Sequence, residues 1–94
     1  MSNHHDSEET SVRIRITGRV QGVGFRQSAR EQARSLDIDA TAVNQPDGSV
    51  IVEASGPRDA VEQLIDWTRK GPALADVDEI EVTRELETPP KASQ

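Results

Sequence analysis

The chain has 94 residues, 33% of them hydrophobic, and a formal net charge of −6 at pH 7. That length makes one domain with one modest core. There is no cysteine, so disulfide frameworks and thiolate chemistry are excluded. No apolar run approaches the roughly 18 residues that a membrane-spanning helix needs, and the net acidity argues against a general nucleic-acid surface. A cytoplasmic protein is expected, with no membrane and no nucleic-acid partner.

Residues 1–11 are polar, acidic and without periodicity, which predicts a disordered acidic tail rather than a secretory leader. His4 and His5 are adjacent in that tail, and no other histidine exists. Metal clusters of the Cys/His kind are therefore excluded, and a serine nucleophile would have no histidine base in the folded part. No metal and no cofactor are expected.

From Val12 to Val20 apolar and polar residues alternate, which reads as a half-buried strand. Then comes Gly18-Arg19-Val20-Gln21-Gly22-Val23-Gly24-Phe25-Arg26, with three glycines in seven residues. Phe25, Ala29, Ala33 and Leu36 follow at helical spacing, so the glycine stretch is a strand-to-helix turn. Such a turn suits an anion. Glycine lets successive backbone N–H groups converge without a Cβ in the way. The helix start adds unpaired donors and a favourable dipole. Arg26 could add a planar fork that matches phosphate oxygens. Arg13, Arg15, Arg19, Arg26, Arg30 and Arg34 fall in one span whose only acid is Glu31. A local positive region in an acidic protein suits a small anion better than a long polyanion.

Asp39 to Asn44 leads into Asn44-Gln45-Pro46-Asp47-Gly48, a turn sequence, and Ser49 to Ser55 reads as the returning strand of a hairpin. Gly56-Pro57 is expected to stop that strand and open a helix carrying Val61, Leu64 and Ile65 through about Lys70. Gly71-Pro72 ends the helix, and Asp76 to Arg84 reads as a last strand with an acidic face. The folded domain is expected over 12–87, with a disordered end over 88–94. Strand, helix, strand, strand, helix, strand is the split βαβ order of ferredoxin-like α+β sandwiches, an antiparallel sheet with two helices on one face. There the first two strands run parallel with the third between them. Their C-terminal ends share one sheet edge, which brings Asn44 toward the glycine turn.

On the residues alone, Arg26 is either an anion ligand or a surface arginine early in a helix. Asn44 is either a group that orients a water for attack on phosphorus or a turn residue that caps its own backbone. An activated ester such as an acyl phosphate has a good leaving group and needs no strong base.

The glycine stretch ending in Arg26, with Asn44 18 residues later and then Pro46-Asp47-Gly48-Ser49-Val50, resembles the acylphosphatase family. Gly71-Pro72 with Ala75 and Val77 adds to the likeness, which spans about residues 12–84. The resemblance implies a ferredoxin-like fold and metal-independent hydrolysis of acyl phosphates to carboxylate and inorganic phosphate. It implies that Arg26 binds phosphate and Asn44 positions the attacking water. The backbone N–H groups of Gln21, Gly22, Val23, Gly24, Phe25 and Arg26 would form the phosphate cradle. Ala40, Thr41 and Val43 stand where that family commonly has a glycine, a large residue and a basic or polar one. Gln27 and Ser28 stand where an aromatic and a hydroxyl residue are frequent. The alternative is an inactive, small-anion-binding module on the same fold. An RNA-binding module would need aromatics on the sheet, and Phe25 and Trp67 both fall in helices. A fragment of a larger carbamoyl-transfer enzyme fits a chain this short and self-contained less well. A monomer acting on a small-molecule acyl phosphate is expected.

Overall fold

The structure, a computed structural model, describes residues 8–84. Six elements follow one another: β1 (Glu9–Arg19), α1 (Phe25–Ser35), β2 (Asp39–Asn44), β3 (Val50–Pro57), α2 (Arg58–Thr68) and β4 (Asp76–Arg84). The strands form one sheet in the order β2-β3-β1-β4, with antiparallel pairing throughout. Because β1 and β2 each run antiparallel to β3, they are parallel to each other. Both helices lie on one face, α1 against β2 and β3, α2 against β1, β3 and β4. This is the expected ferredoxin-like sandwich.

The alternation read in β1 becomes the two faces of the sheet. Val12, Ile14 and Ile16 are buried, as are Val50, Val52 and Ala54 opposite them on β3. The helices close over them with Phe25, Ala29 and Ala33 from α1 and Val61, Leu64 and Ile65 from α2. Each large apolar side chain buried here contributes about 1.5–3 kcal/mol. Thr68 is fully buried, and its hydroxyl donates to the Ile65 carbonyl at 2.6 Å, which removes the cost of an unpaired polar group. The other face is open to solvent and charged, with Arg13 on Glu53 at 2.9 Å and Arg15 within 3.8 Å of Glu81. Among the described residues no helix is long and apolar enough to cross a membrane.

Two boundaries differ from the sequence reading. Glu9, Thr10 and Ser11, expected in the acidic tail, extend β1. Gly56 and Pro57, expected to stop β3, continue it. The two corrections have one cause: Glu9 pairs with Pro57, Thr10 with Gly56 and Ser11 with Ser55, so each extension supplies the other's hydrogen-bonding partner. A polar stretch without alternation joins a sheet when a partner backbone is available. Gly56 is also required by close approach, since a Cβ there would lie 2.5 Å from Ile38 Cγ2. Residues 1–7 of the expected tail, residues 85–87 of the expected domain and the expected C-terminal end over 88–94 lie outside the described residues.

The β1–β4 register shifts between Thr17 and Gly18. This bulge accounts for the broken alternation of β4, where Val77 sits opposite Gly18 while Ile80 and Val82 sit opposite Ile16 and Ile14. Gly18 allows it: a Cβ would stand 2.3 Å from the Asp76 carbonyl oxygen. The bulge falls at the end of β1, where the chain must turn toward α1.

Candidate active site

β1 ends at Arg19, Val20 plugs the core at 1% exposure, and residues 21–24 turn into α1. Gly22 and Gly24 both have φ near +79°, in the left-handed region. A Cβ at either would meet nothing within 4 Å, so these glycines are demanded by backbone conformation and not by space. Gly24 is the N-cap of α1 and no side chain caps that end. The first helix-type bond at this end runs from Ser28 N–H to the Gly24 carbonyl at 3.0 Å. Residues 21–24 form a turn, and among the described residues no hydrogen bond of good geometry runs from the N–H groups of Gln21, Gly22, Val23, Gly24, Phe25 and Arg26 to a carbonyl outside the regular elements. These donors cluster at the start of one helix, with Phe25 buried beneath them.

Phe25 fixes this turn on the core. Its ring is 1% exposed and lies 5.4 Å from the Trp67 ring at an interplanar angle of 55°. Gly71 backs it, with space too tight for a Cβ, which would fall 2.5 Å from Phe25 Cε2.

Asn44 is the last residue of β2. Alternation puts Ala40 and Ala42 on the helix side of the sheet, so Asn44 belongs to that side too, beyond the end of the core where it is exposed. Thr41 and Val43 belong to the opposite face and line a hollow there with Arg13 and Glu53. Two of the departures from the family pattern therefore face away from the glycine turn.

A cleft of about 200 Å³ joins these parts. Val20, Gly22, Gly24, Phe25 and Arg26 line it from the turn and the helix start, and Asn44 from β2. Gln27 and Arg30 of α1 complete the lining. Both Arg26 and Asn44 are exposed, and neither is engaged in an ion pair among the described residues. Among the described residues no group of three His, Cys, Asp or Glu could hold a metal ion.

The side chain that ties turn to hairpin is Gln21, which the sequence singled out only for its backbone. Its Nε2 donates to the Gln45 carbonyl at 2.8 Å and to the Ser49 carbonyl at 2.9 Å. Two carbonyl acceptors require the amide nitrogen at that end. Asp47, not Asn44, caps the hairpin turn. Its Oδ1 accepts from Ser49 N–H at 2.9 Å and from Ser49 Oγ at 2.6 Å, and its Oδ2 accepts from Arg15 at 2.6 Å. These contacts hold the Asp47 carboxyl well below the usual carboxylate range, with the Ser49 hydroxyl and N–H first and Arg15 after them, and the same pair raises the Arg15 guanidinium. No local pattern announces Gln21, because its partners lie 24 and 28 residues away.

The family profile described as Acylphosphatase matches residues 12–93 of this chain. The acylphosphatase of Salinibacter ruber is 51% identical over 74 residues, covering 79% of this chain and 78% of that protein. The fold superposes on an acylphosphatase from Coxiella burnetii with a TM-score of 0.81 at 30% identity, over 99% of this chain and 98% of that one. The Bacillus subtilis acylphosphatase gives a TM-score of 0.80 at 30% identity, over 89% of this chain and 96% of that one. A glycine turn leading into an uncapped helix start, an arginine on the first helical turn and an asparagine at the neighbouring strand end are thus set in a frame shared with these proteins, and the chain belongs to the acylphosphatase family.

Proposed function

We propose that this protein hydrolyses acyl phosphates to a carboxylate and inorganic phosphate, and that the cleft between the glycine turn and Asn44 is its active site. One observation carries the reading. Arg26 and Asn44 come from different elements, and they line one small cleft with the glycine turn and the uncapped start of α1. The N–H groups of Gln21 to Arg26 and the Arg26 guanidinium bind the phosphoryl oxygens and offset the charge that spreads over them in the transition state. Asn44 orients the attacking water by accepting a hydrogen bond from it. The water oxygen forms the new bond to phosphorus, the bond from phosphorus to the acyl oxygen breaks, and the carboxylate leaves. The proton of the water ends on the released phosphate or in solvent. Fixed positioning and electrostatic stabilisation do the work, and the good leaving group makes a general base unnecessary.

The test is release of benzoate and phosphate from benzoyl phosphate with a chelator present throughout. Turnover that the chelator leaves unchanged is expected, with inorganic phosphate inhibiting competitively. Binding of phosphate without any turnover would instead establish an inactive anion-binding module.

A further inference from the structure

The groups described so far engage the phosphoryl group and the water; none of them accounts for the acyl end of the substrate. α1 carries Arg26, Arg30 and Arg34 four residues apart, so they stack on one helix face with about 6 Å between successive turns. All three are exposed. Elsewhere arginines are paired: Arg13, Arg15, Arg58, Arg69 and Arg84 each lie within 3.8 Å of a carboxylate oxygen. Among the described residues Arg19, Arg26, Arg30 and Arg34 have no such partner, in a chain whose net charge is −6. Glu31, the one acid of α1, accepts from Gln27 at 3.3 Å instead.

Of these arginines only Arg30 shares the cleft with Arg26 and Asn44. It stands at the cleft's border with a second, larger hollow, where Glu9, Asp37 and Asp39 are near but form no ion pair with it. Like charges one helical turn apart repel, and a bound anion relieves that repulsion. The first anion is the phosphoryl group at Arg26 and the glycine turn. A second guanidinium one turn further along, with its donor fork unused, matches a second anion on the same ligand.

We propose that Arg30 binds an anionic group on the acyl portion of the substrate. The protein then favours acyl phosphates whose acyl group carries a carboxylate or phosphate of its own. This rests on the acyl phosphate reading of the cleft. Arg30 touches a non-reacting part of the substrate, so its contribution is uniform binding and appears mainly in KM.

The experiment compares benzoyl phosphate with para-carboxybenzoyl phosphate, two esters with the same reacting bond. Wild-type kcat/KM is expected to be about tenfold higher for the carboxylated ester, the effect of one charge-assisted contact. In Arg30→Gln that ratio falls toward one, and Arg30→Lys restores part of it. Arg34→Gln, which lines no part of the cleft, leaves the ratio as in the wild type. A loss common to both esters cancels in the ratio. In the wild type the preference also shrinks when ionic strength rises from about 0.05 M to about 0.5 M. No preference in the wild type, a ratio unmoved by Arg30→Gln, or a preference insensitive to salt overturns the proposal while hydrolysis of benzoyl phosphate keeps the acyl phosphate reading standing. Failure of the wild type to cleave either ester overturns both.

Discussion

Gln21 spans from the glycine turn to the carbonyl of Gln45, 2.8 Å away, and so fixes the distance between that turn and the residue next to Asn44. Its second hydrogen goes to the Ser49 carbonyl, which already accepts from Gln45 N–H at 2.8 Å. One side chain thereby grips both ends of the hairpin turn. Replacing Gln21 with Ala removes two neutral hydrogen bonds, each with a net value of about 1 kcal/mol. We expect kcat/KM for benzoyl phosphate to drop about tenfold, mostly in kcat, because the water and the phosphoryl group lose their mutual alignment. A variant with wild-type kcat and a lowered Tm would show that Gln21 serves stability alone.

Arg26 and Asn44 should behave as a divided pair. Arg26→Ala removes charge stabilisation of the phosphoryl group and is expected to lower kcat/KM by about 10²–10³-fold. It should also abolish inhibition by inorganic phosphate. Asn44→Ala is expected to lower kcat at least about 10²-fold while phosphate inhibition survives, since it leaves the anion donors intact. Steady-state kinetics with phosphate as inhibitor separates the two roles. Loss of phosphate inhibition in Asn44→Ala would contradict the assignment of water handling to that residue.

Gly24 and Gly71 both sit at positive φ, 79° and 70°, but in different surroundings. A Cβ on Gly24 meets open space, while one on Gly71 strikes the Phe25 ring. Gly24→Ala should cost only the left-handed penalty, about 1–2 kcal/mol. Gly71→Ala adds overpacking of about 1–3 kcal/mol to a similar penalty. It should also displace Phe25 and, with it, Arg26 on the next residue. Urea midpoints and kcat measured side by side would show Gly71→Ala as the more destabilised of the two, with a fall in activity. Equal midpoints for both variants would refute the contact with Phe25.

Acid should loosen the hairpin through Asp47. Its folded-state pKa is depressed, so the unfolded chain binds this proton more readily than the folded one. The stabilisation is therefore complete above the ordinary carboxylate value, about 4, and is lost progressively as pH falls below it. Thermal midpoints between about pH 6 and pH 2 should fall less steeply in Asp47→Asn than in the wild type. Parallel curves for the two proteins would mean that Asp47 takes no part.

The element order, the two-faced character of β1, the extent of α1, β2 and β4, and the nearness of Asn44 to the glycine turn were legible in the linear chain. Each rests on local periodicity or on turn residues whose backbone preferences act over a few positions. Spacing and topology offered Arg26 and Asn44 beside a bland reading of each, and the resemblance to the acylphosphatase family singled them out. Pairing with distant partners decided the rest. Glu9–Ser11 joined the sheet because Ser55–Pro57 stood opposite, and the bulge at Gly18 followed from the approach of Asp76. Gln21 took its role from the Gln45 and Ser49 carbonyls, and Asp47 was joined to the sheet by Arg15, all of them remote in sequence, whereas the bond of Asp47 to Ser49 is local. Arg30 was one of six arginines in a positive span, and only the end of β2, by closing a cleft beside it, set it apart from the others. Hydrophobic periodicity is written residue by residue, whereas long-range hydrogen bonds and clefts exist only where the fold brings remote segments within a few ångströms.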